Sequence, residues 1–348
     1  MPRLIALILA VLAAACLAAR AQAQVLYVSS DFSHEVLRYN PQTGALIDVF
    51  VSAGSGGLNQ PHSIIDRGPD IIVASFGTDQ VLRYDAATGA FLGVFISGAT
   101  GLNDPVYMIH GPDGNLYISS QASDEILRYS PDGVFIDAFV SAGSGGLDGP
   151  SGFAFAPDGR LYVAGRYSAD VLAYDGATGA FMETVLDASD GLTSGDTFGL
   201  QIGDNGDLYI ASNGNGYRYD LDSHAMVGIP VGFPIGLENG PDGGVFVATS
   251  NNLRLIDTGD NSIGGPFLVG GAINLLNFFH FSRGGCSVCP GDMNGNGVVE
   301  IGDVVPFVDR LLDGMDETCP DADLSGTVDG LDISAFTLRL VTGQCGGT

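Results

Sequence analysis

The sequence contains no lysine and no tryptophan, and its 348 residues carry only 13 basic side chains, all of them arginine. These face 40 acidic residues, so the formal net charge at pH 7 is −27. A surface this acidic repels nucleic acid and anionic lipid. The composition therefore argues against nucleic-acid binding and favours calcium, or neutral or basic partners.

Long apolar runs are also lacking, with one exception at the N-terminus. Residues 1–23 are typical of a secretory signal peptide, with basic Arg3, an apolar run over 4–19 and the cleavage pattern AQA at 21–23. A transmembrane anchor and a lipoprotein signal through Cys16 are the alternatives, although the run is short for a membrane span. We expect a secreted or cell-surface protein with no membrane span after signal removal.

Cysteine is scarce, and the four cysteines outside the signal peptide lie in the last part of the chain: Cys286, Cys289, Cys319 and Cys345. In an exported protein such residues form disulfides more often than redox or metal sites. Zinc would require a second close pair, which the sequence does not have. The export context therefore predicts disulfides, and their pairing stays open.

One short β-rich pattern recurs through the first three quarters of the chain. The spacing between successive copies is 45, 45, 45, 47 and 37 residues. Six copies at this period indicate a propeller or a solenoid. The copies are LYVSS at Leu26, IIVAS at Ile71, LYISS at Leu116, LYVAG at Leu161, LYIAS at Leu208 and VFVAT at Val245.

Each repeat divides into four short strands joined by tight turns. A turn such as PDG at 112–114 precedes the LY strand, and a third strand such as QVLRYD at 80–85 follows it. The turn AATGA at 86–90 then leads into a fourth strand, FLGVFI at 91–96. Four antiparallel strands in about 45 residues match the blade of a propeller.

The two ends of the repeat region complement each other. The chain begins at an LY strand without the strand that should precede it, and INLLNFFHF at 273–281 follows the sixth copy without a partner. Pairing these segments would complete a sixth blade and remove exposed sheet edges. We predict an all-β six-bladed propeller over residues 24–283, with a solenoid as the alternative. The other inner strands are expected to begin near Pro61, Pro105, Ser151, Thr197 and Phe233.

The glycine-rich segment SAGSGGL occurs twice, at 52–58 and at 141–147. Neither copy precedes a helical pattern, so neither can present a helix N-terminus to a phosphate. The copies are 89 residues apart, which is two repeats. We predict that they are crossings between blades.

The LY strand, the PDG turn and the RYD…TG hairpin resemble those of NHL-type, streptogramin-lyase-like or gluconolactonase-like propellers. The resemblance covers most of residues 24–282 and implies the fold far more than the function. Sites in such propellers lie at the mouth of the central channel, where related lactonases and lyases use acidic or histidine clusters. The mouth candidates in this chain are His62, Asp104, Asp196 and Asn274. They occupy different offsets within their repeats, so the sequence identifies no catalytic constellation.

Two segments near the C-terminus align at an offset of 29 residues: DMNGNGVVEIGD at 292–303 and DADLSGTVDGLD at 321–332. Calcium takes six to eight oxygen ligands, and Gly297 and Gly326 permit the sharp turn that such a loop needs. The pair predicts two bound Ca²⁺ ions. The predicted ligands are Asp292, Asn294, Asn296, the Val298 carbonyl, Glu300 and Asp303 in the first loop, and Asp321, Asp323, Ser325, the Thr327 carbonyl, Asp329 and Asp332 in the second.

An amphipathic helix is expected after each loop, at 304–312 and 333–341. The duplicated loop and helix resemble the type I dockerin domain over 291–345, after a Cys-containing linker at 284–290. The resemblance implies a small C-terminal α domain of two calcium loop–helix repeats that binds a cohesin-type partner. Family dockerins carry a hydroxyl pair at loop positions 10 and 11, where this chain has Ile301-Gly302 and Gly330-Leu331. Arg310 and Arg339 match the basic helix positions and are the predicted partner-binding residues.

Two functions follow from this sequence. The first is a secreted propeller that binds a ligand, such as a carbohydrate, or serves as a scaffold, and is attached through the dockerin in polysaccharide degradation. The alternative is an exported propeller lyase or hydrolase acting on a polysaccharide or lactone. A purely structural module is a third reading. An acidic metal cluster at the propeller mouth would favour the enzyme, whereas an apolar or aromatic mouth would favour binding.

Overall fold

The structure is a computed structural model that describes residues 25–41, 43–212, 214–239, 244–249, 252–265, 268–269 and 276–281. Residues Leu26–Phe281 form one compact unit. The signal peptide, the linker, the four C-terminal cysteines, both calcium loops, Arg310, Arg339 and Asn274 lie outside the described residues. The corresponding predictions stay predictions.

Six four-stranded antiparallel sheets make up the fold, and each is one blade. Blade 1 contains β1 (Leu26–Ser30), β2 (Glu35–Tyr39), β3 (Leu46–Val51) and β24 (Leu276–Phe281). Blade 2 contains β4 (Pro61–Asp66), β5 (Asp70–Ser75), β6 (Gln80–Asp85) and β7 (Phe91–Ile96). Blade 3 contains β8 (Pro105–His110), β9 (Leu116–Ser120), β10 (Glu125–Tyr129) and β11 (Phe135–Val140).

The second half of the ring has the same pattern. Blade 4 contains β12 (Pro150–Phe155), β13 (Arg160–Gly165), β14 (Asp170–Asp175) and β15 (Phe181–Leu186). Blade 5 contains β16 (Leu200–Ile202), β17 (Leu208–Ser212), β18 (Asn215–Tyr219) and β19 (Met226–Ile229). Blade 6 contains β20 (Pro234–Asn239), β21 (Val245–Thr249), β22 (Asn252–Ile256) and β23 (Leu268–Val269). The helices of the described residues are short 3-10 turns, and none is long and apolar enough to cross a membrane.

The ring closes through pairing of the first and last strands of the repeat region, as predicted from the sequence. Strand β24 pairs antiparallel with β1, with Phe281 opposite Leu26 and Phe279 opposite Val28. The innermost strands contact one another in the order β24, β4, β8, β12, β16, β20 and back to β24. The six-bladed propeller is therefore confirmed and the solenoid alternative is wrong. In a closed ring of this order, blade 1 lies across the channel from blade 4.

The second strand of each blade explains the repeated LY pattern. Every residue of β1, β9 and β17 is buried, because this strand has the neighbouring blades on both of its faces. A strand buried on both faces lacks the alternation of polar and apolar residues that a half-exposed strand shows. In β5 and β9 the last residue is a buried serine that bonds the loop arriving from the preceding blade. Ser75 Oγ accepts the Asn59 N–H at 3.1 Å, and Ser120 Oγ accepts the Asn103 N–H at 2.9 Å.

The two SAGSGGL segments connect β3 to β4 and β11 to β12, which confirms them as crossings between blades. Gly56 has φ +63°, and a Cβ there would overlap the ring of Phe91 in the next blade. The Tyr84 hydroxyl donates to the Ser55 carbonyl at 2.8 Å. The second copy repeats this contact, with Tyr174 donating to the Ser144 carbonyl at 2.7 Å. Both segments therefore hold one blade against the next.

One inner strand begins later than predicted. Thr197 was the expected start of the fifth inner strand, whereas β16 begins at Leu200. The backbone before it bonds to two blades: the Phe198 N–H donates to the Ala211 carbonyl at 2.9 Å, and the Gly152 N–H donates to the Phe198 carbonyl at 2.7 Å. The segment therefore leaves the regular ladder. The starts of β4, β8, β12 and β20 lie within one residue of the predicted ones.

Candidate functional site

Each inner strand of the common type begins with proline and then departs from regular pairing. The register shifts between Pro61 and Ile64 in blade 2 and between Pro105 and Met108 in blade 3. The same shift follows Pro150 and Pro234. Proline has no N–H to give to the ladder, and a bulge turns the side chains that follow it. The shift brings His62, the residue after Pro61, to the channel mouth.

A cavity of about 440 Å³ lies at this mouth, and we call it the mouth cavity. Its polar lining comes from Asp31, Gln60, His62, Gln121, Arg166 and Asp196. Its apolar lining comes from Phe76, Val106, Phe198, Phe233, Pro234 and Ile235. The volume is in the range of small-molecule sites.

Four of these residues occupy the same position in successive repeats. Asp31, Phe76, Gln121 and Arg166 are 45 residues apart, and each directly follows the last residue of the second strand in its blade. The strands repeat almost unchanged, whereas this position holds an acid, an aromatic ring, an amide and a guanidinium. The change in chemistry at this repeat position is visible in the sequence, but our sequence analysis missed it.

Arg166 is held in a fixed place on its side of the cavity. Its Nη1 donates to Gln121 Oε1 at 3.3 Å, and its Nε donates to the Gly195 carbonyl at 3.1 Å. The guanidinium lies 4.3 Å from the ring centroid of Phe198 and 5.4 Å from that of Tyr167. Such contacts with aromatic rings stabilise a cation. Among the described residues, it forms no ion pair with a carboxylate.

Gln121 lies beside Arg166 and is only 2% exposed. Its Oε1 accepts hydrogen bonds from Arg166 and from the Tyr167 hydroxyl, the latter at 3.4 Å. Its Nε2 has no hydrogen-bond partner among the described residues. A buried donor without a partner costs about 1–3 kcal/mol. A ligand oxygen in the mouth cavity would recover that free energy.

His62 also lines the mouth cavity and is neutral. Its ring stacks on Phe76 with centroids 4.7 Å apart, and its Nε2 lies 4.0 Å from Asp31 Oδ1. Burial, and to a smaller extent the charge of Arg166, lower the pKa of His62 to about 3. The imidazole therefore carries no charge near pH 7 and offers neutral hydrogen-bonding atoms.

The other mouth candidates have different positions. Asp196 lies at the exposed rim of the mouth cavity. Asp104 lies outside the lining, in a contact between blades where its N–H donates to Asp79 Oδ1 at 2.9 Å. Burial, and then the charge of Asp79, raise the pKa of Asp104. In the part of the chain that the structure describes, no three His, Cys, Asp or Glu side chains come together as a metal site.

A second cavity, of about 490 Å³, lies where the inner strands end, and we call it the opposite cavity. Ile109, Phe153 and Phe155 supply apolar walls, and Gln201 and Asn239 supply amides. The Asn239 Nδ2 donates to the Ile202 carbonyl at 2.9 Å. No arginine is part of this lining, and none of our predicted site residues is.

Comparison with known proteins places the fold. No family model and no curated protein matches the sequence. A chain of a nidogen/laminin complex superposes with a TM-score of 0.60 at 12% identity, over 74% of this chain and 98% of that one. Virginiamycin B lyase from Staphylococcus aureus gives 0.51 at 12% identity, over 70% and 80%.

The extracellular domain of a one-component system from B. thetaiotaomicron also gives a TM-score of 0.51, at 16% identity, over 69% of this chain and 34% of that one. Likeness at these identities establishes architecture and leaves function open. The chain is similar in fold to these proteins, and the expected propeller of the streptogramin-lyase-like kind is confirmed at that level.

Proposed function

We propose that the chain is an exported binding protein whose propeller holds a small ligand in the mouth cavity and whose C-terminal segment is a calcium-dependent docking module. The observation that carries the first part is the repeat position occupied by Asp31, Phe76, Gln121 and Arg166. A binding site on a propeller needs different side chains at equivalent positions of otherwise similar blades, and this position provides them. An aromatic mouth was expected to favour binding over catalysis, and the rings of Phe76, Phe198 and Phe233 make the mouth aromatic.

The chemistry of His62 supports binding over the lyase or hydrolase alternative. A general base works best when its pKa lies near the working pH. The pKa of His62, about 3, makes it a weak proton acceptor at neutral pH. We therefore assign His62 a hydrogen-bonding role rather than proton transfer.

The calcium part of the proposal rests on the donor chemistry of two sequence loops. Each supplies carboxylate, amide, hydroxyl or carbonyl oxygens at alternating positions around a central glycine, which fits Ca²⁺. Bound calcium would supply the charge that keeps these acidic loops folded. The dockerin resemblance supports a cohesin-type partner, a secreted or cell-surface location and a role in polysaccharide degradation. The four cysteines would form disulfides in that compartment.

The ligand site is tested by calorimetry on the chain from Gln24 with a panel of sugars, amino acids and peptides. We expect at least one hit whose affinity falls tenfold or more in Arg166→Gln. The matched control is Arg254→Gln, because Arg254 also forms no ion pair among the described residues but does not line the mouth cavity. Equal loss in both variants, or no hit at all, would contradict the site.

The docking module is tested by calcium titration of the same chain. We expect two ions per chain, with Asp292→Ala and Asp321→Ala each removing one. Chelation should leave ligand binding at the propeller unchanged and abolish capture of a cohesin domain. A chain that binds no calcium would refute this half of the proposal and leave the mouth cavity untouched.

A further inference from the structure

Arg166 lines the mouth cavity, and most of its hydrogen-bond donors are unused. An arginine side chain has five N–H donors. The one on Nε donates to the Gly195 carbonyl, and one on Nη1 donates to Gln121 Oε1. The others, including both on Nη2, have no partner among the residues that the structure describes. A cation in the lining therefore keeps donors for a ligand.

The lack of an ion pair with a described carboxylate sets Arg166 apart from most arginines of the propeller. Six others each form one: Arg38, Arg67, Arg83, Arg128, Arg160 and Arg218. Arg166 is held instead by neutral groups. The Gly195 N–H donates to its carbonyl at 2.7 Å, and its guanidinium lies over the ring of Phe198. These contacts fix the guanidinium without neutralising it, so its orientation is set before an anion binds.

The amide of Gln121 adds a further donor beside the guanidinium. Its Oε1 accepts hydrogen bonds from Arg166 and from the Tyr167 hydroxyl, which leaves Nε2 as the group without a partner among the described residues. The side chain is almost fully buried and lines the same cavity. An anion that accepts from both the guanidinium and this N–H would satisfy a cation and a buried donor together.

The charge of the protein favours a carboxylate over a phosphate as this anion. A carboxylate brings one negative charge to one guanidinium, and its two oxygens accept from arginine through two parallel bonds. A phosphate monoester carries nearly two negative charges at neutral pH. Asp196 stands at the rim of the cavity and the net charge of the chain is −27, so each further negative charge on a ligand is repelled.

The apolar lining defines the rest of the ligand. Phe76, Phe198 and Phe233 contribute rings, and the neutral His62 ring is stacked on Phe76. Val106, Pro234 and Ile235 complete the apolar part of the lining. Rings pack well against flat apolar groups, and a cavity of this size accepts a small molecule.

We propose that the mouth cavity binds a small monocarboxylate with an aromatic body. Its carboxylate would lie on the Arg166 guanidinium and Gln121 Nε2, and its ring among the phenylalanines of the lining. This inference rests on the proposed binding function of the same cavity and adds the class of ligand. A sugar acid offers the same carboxylate on a polar body, and the test separates the two.

The test is isothermal titration calorimetry at pH 7 on the chain from Gln24. The probes are hydrocinnamate, its uncharged amide, phenyl phosphate, propionate and glucuronate. We expect hydrocinnamate to bind best. The amide, which lacks the charge, and propionate, which lacks the ring, should each bind tenfold or more weakly. These comparisons change only the ligand, so they need no variant that might fail to fold.

Two variants then assign the donors. Gln121→Glu removes the free N–H and gives Arg166 a counter-ion, so hydrocinnamate should lose at least tenfold more affinity than its amide does. In Arg166→Gln the acid and the amide should bind alike, and Arg254→Gln should behave as the unaltered chain.

An amide that binds the unaltered chain as well as the acid does, or tighter binding of phenyl phosphate, would overturn the inference. Tighter binding of glucuronate would overturn it and leave the proposed binding function standing. The same holds if every probe fails while the wider panel of sugars, amino acids and peptides yields an Arg166-dependent ligand. If neither set of compounds yields a ligand, both proposals fail.

Discussion

The two ends of the channel are built from the same strands but differ in chemistry. The mouth cavity collects an acid, an arginine, a histidine and a buried amide beside its rings. The opposite cavity is of similar size and is also lined by a histidine and an acid, His110 and Asp204, beside apolar walls and amides, but none of the described arginines lines it. The mouth lies where prolines and bulges begin the inner strands of blades 2, 3, 4 and 6, whereas at the other end those strands finish in regular pairing. Size therefore does not mark the site. The site is instead identified by side chains that differ in type from repeat to repeat, at the end of the strands where the β-ladder is irregular.

The largest expected effect is a loss of folding stability on substitution at the opposite cavity, with no loss of ligand binding at the mouth cavity. Phe153 is fully buried, lines the opposite cavity and meets Tyr107 edge-on with centroids 5.6 Å apart. Phe153→Ala should destabilise the chain by about 3–5 kcal/mol and leave ligand affinity in the folded fraction unchanged. Phe198→Ala, which removes the ring under Arg166, should cost less stability and weaken binding. Thermal unfolding and calorimetry on both variants measure the two effects. If Phe153→Ala abolished binding in folded protein, the division between the two ends would be lost.

A second pair of variants tests the crossing segment that supports the mouth. Gly54 and Gly56 both have positive φ, +72° and +63°, but a Cβ would overlap the Phe91 ring only at Gly56. Gly54→Ala should therefore cost about 1 kcal/mol of backbone strain, and Gly56→Ala about twice that or more. Denaturant unfolding of both gives the difference. Equal losses would show that the packing of Phe91 on this loop adds nothing.

The parts of the fold and of the candidate site that could be predicted from the sequence are those that recur from blade to blade. The closure by β24, the crossing segments and most inner-strand starts recur in each blade or complete one, so the sequence predicted them. His62 and Asp196 were predicted and lie at the mouth cavity. Asp104 was predicted as a site residue because it is acidic. In the structure its backbone N–H donates to Asp79 Oδ1 of the neighbouring blade. A single repeat does not reveal such a contact between blades.

The residues that the sequence analysis missed are those whose partners are far apart in the chain. Gln121 and Arg166 meet only because blades 3 and 4 are neighbours. Phe233 directly precedes the proline that begins an inner strand, as Gln60, Asp104 and Gly149 do, and all four have positive φ. The signal that was present, a changing residue after each LY strand, requires knowing that this position faces the channel.

Phe233 offers a prediction in which stability and binding move in opposite directions. It is exposed and has φ +45°, a conformation that a bulky residue adopts only under strain. Phe233→Asn should raise the stability by about 1 kcal/mol, because asparagine tolerates this conformation. The same change should weaken ligand binding, since the rim loses its ring. A Tm measurement and a titration on one preparation suffice. A variant that loses stability would contradict the strain, and one that keeps full affinity would remove Phe233 from the site.

The last expected effect concerns pH and is confined to the mouth cavity. His62 has its pKa lowered to about 3 by burial and by Arg166, whereas an unfolded histidine titrates near 6.5. Below pH 6.5 the unfolded chain therefore binds a proton that the folded chain does not, and stability falls as the pH falls from 6.5 toward 3. His62→Gln should reduce the loss of Tm between pH 7 and pH 5 relative to the unaltered chain. Phe198→Ala, which keeps the imidazole, serves as the control and should retain the full acid sensitivity. If His62→Gln loses as much Tm as the unaltered chain, His62 is not a buried neutral group in the folded chain.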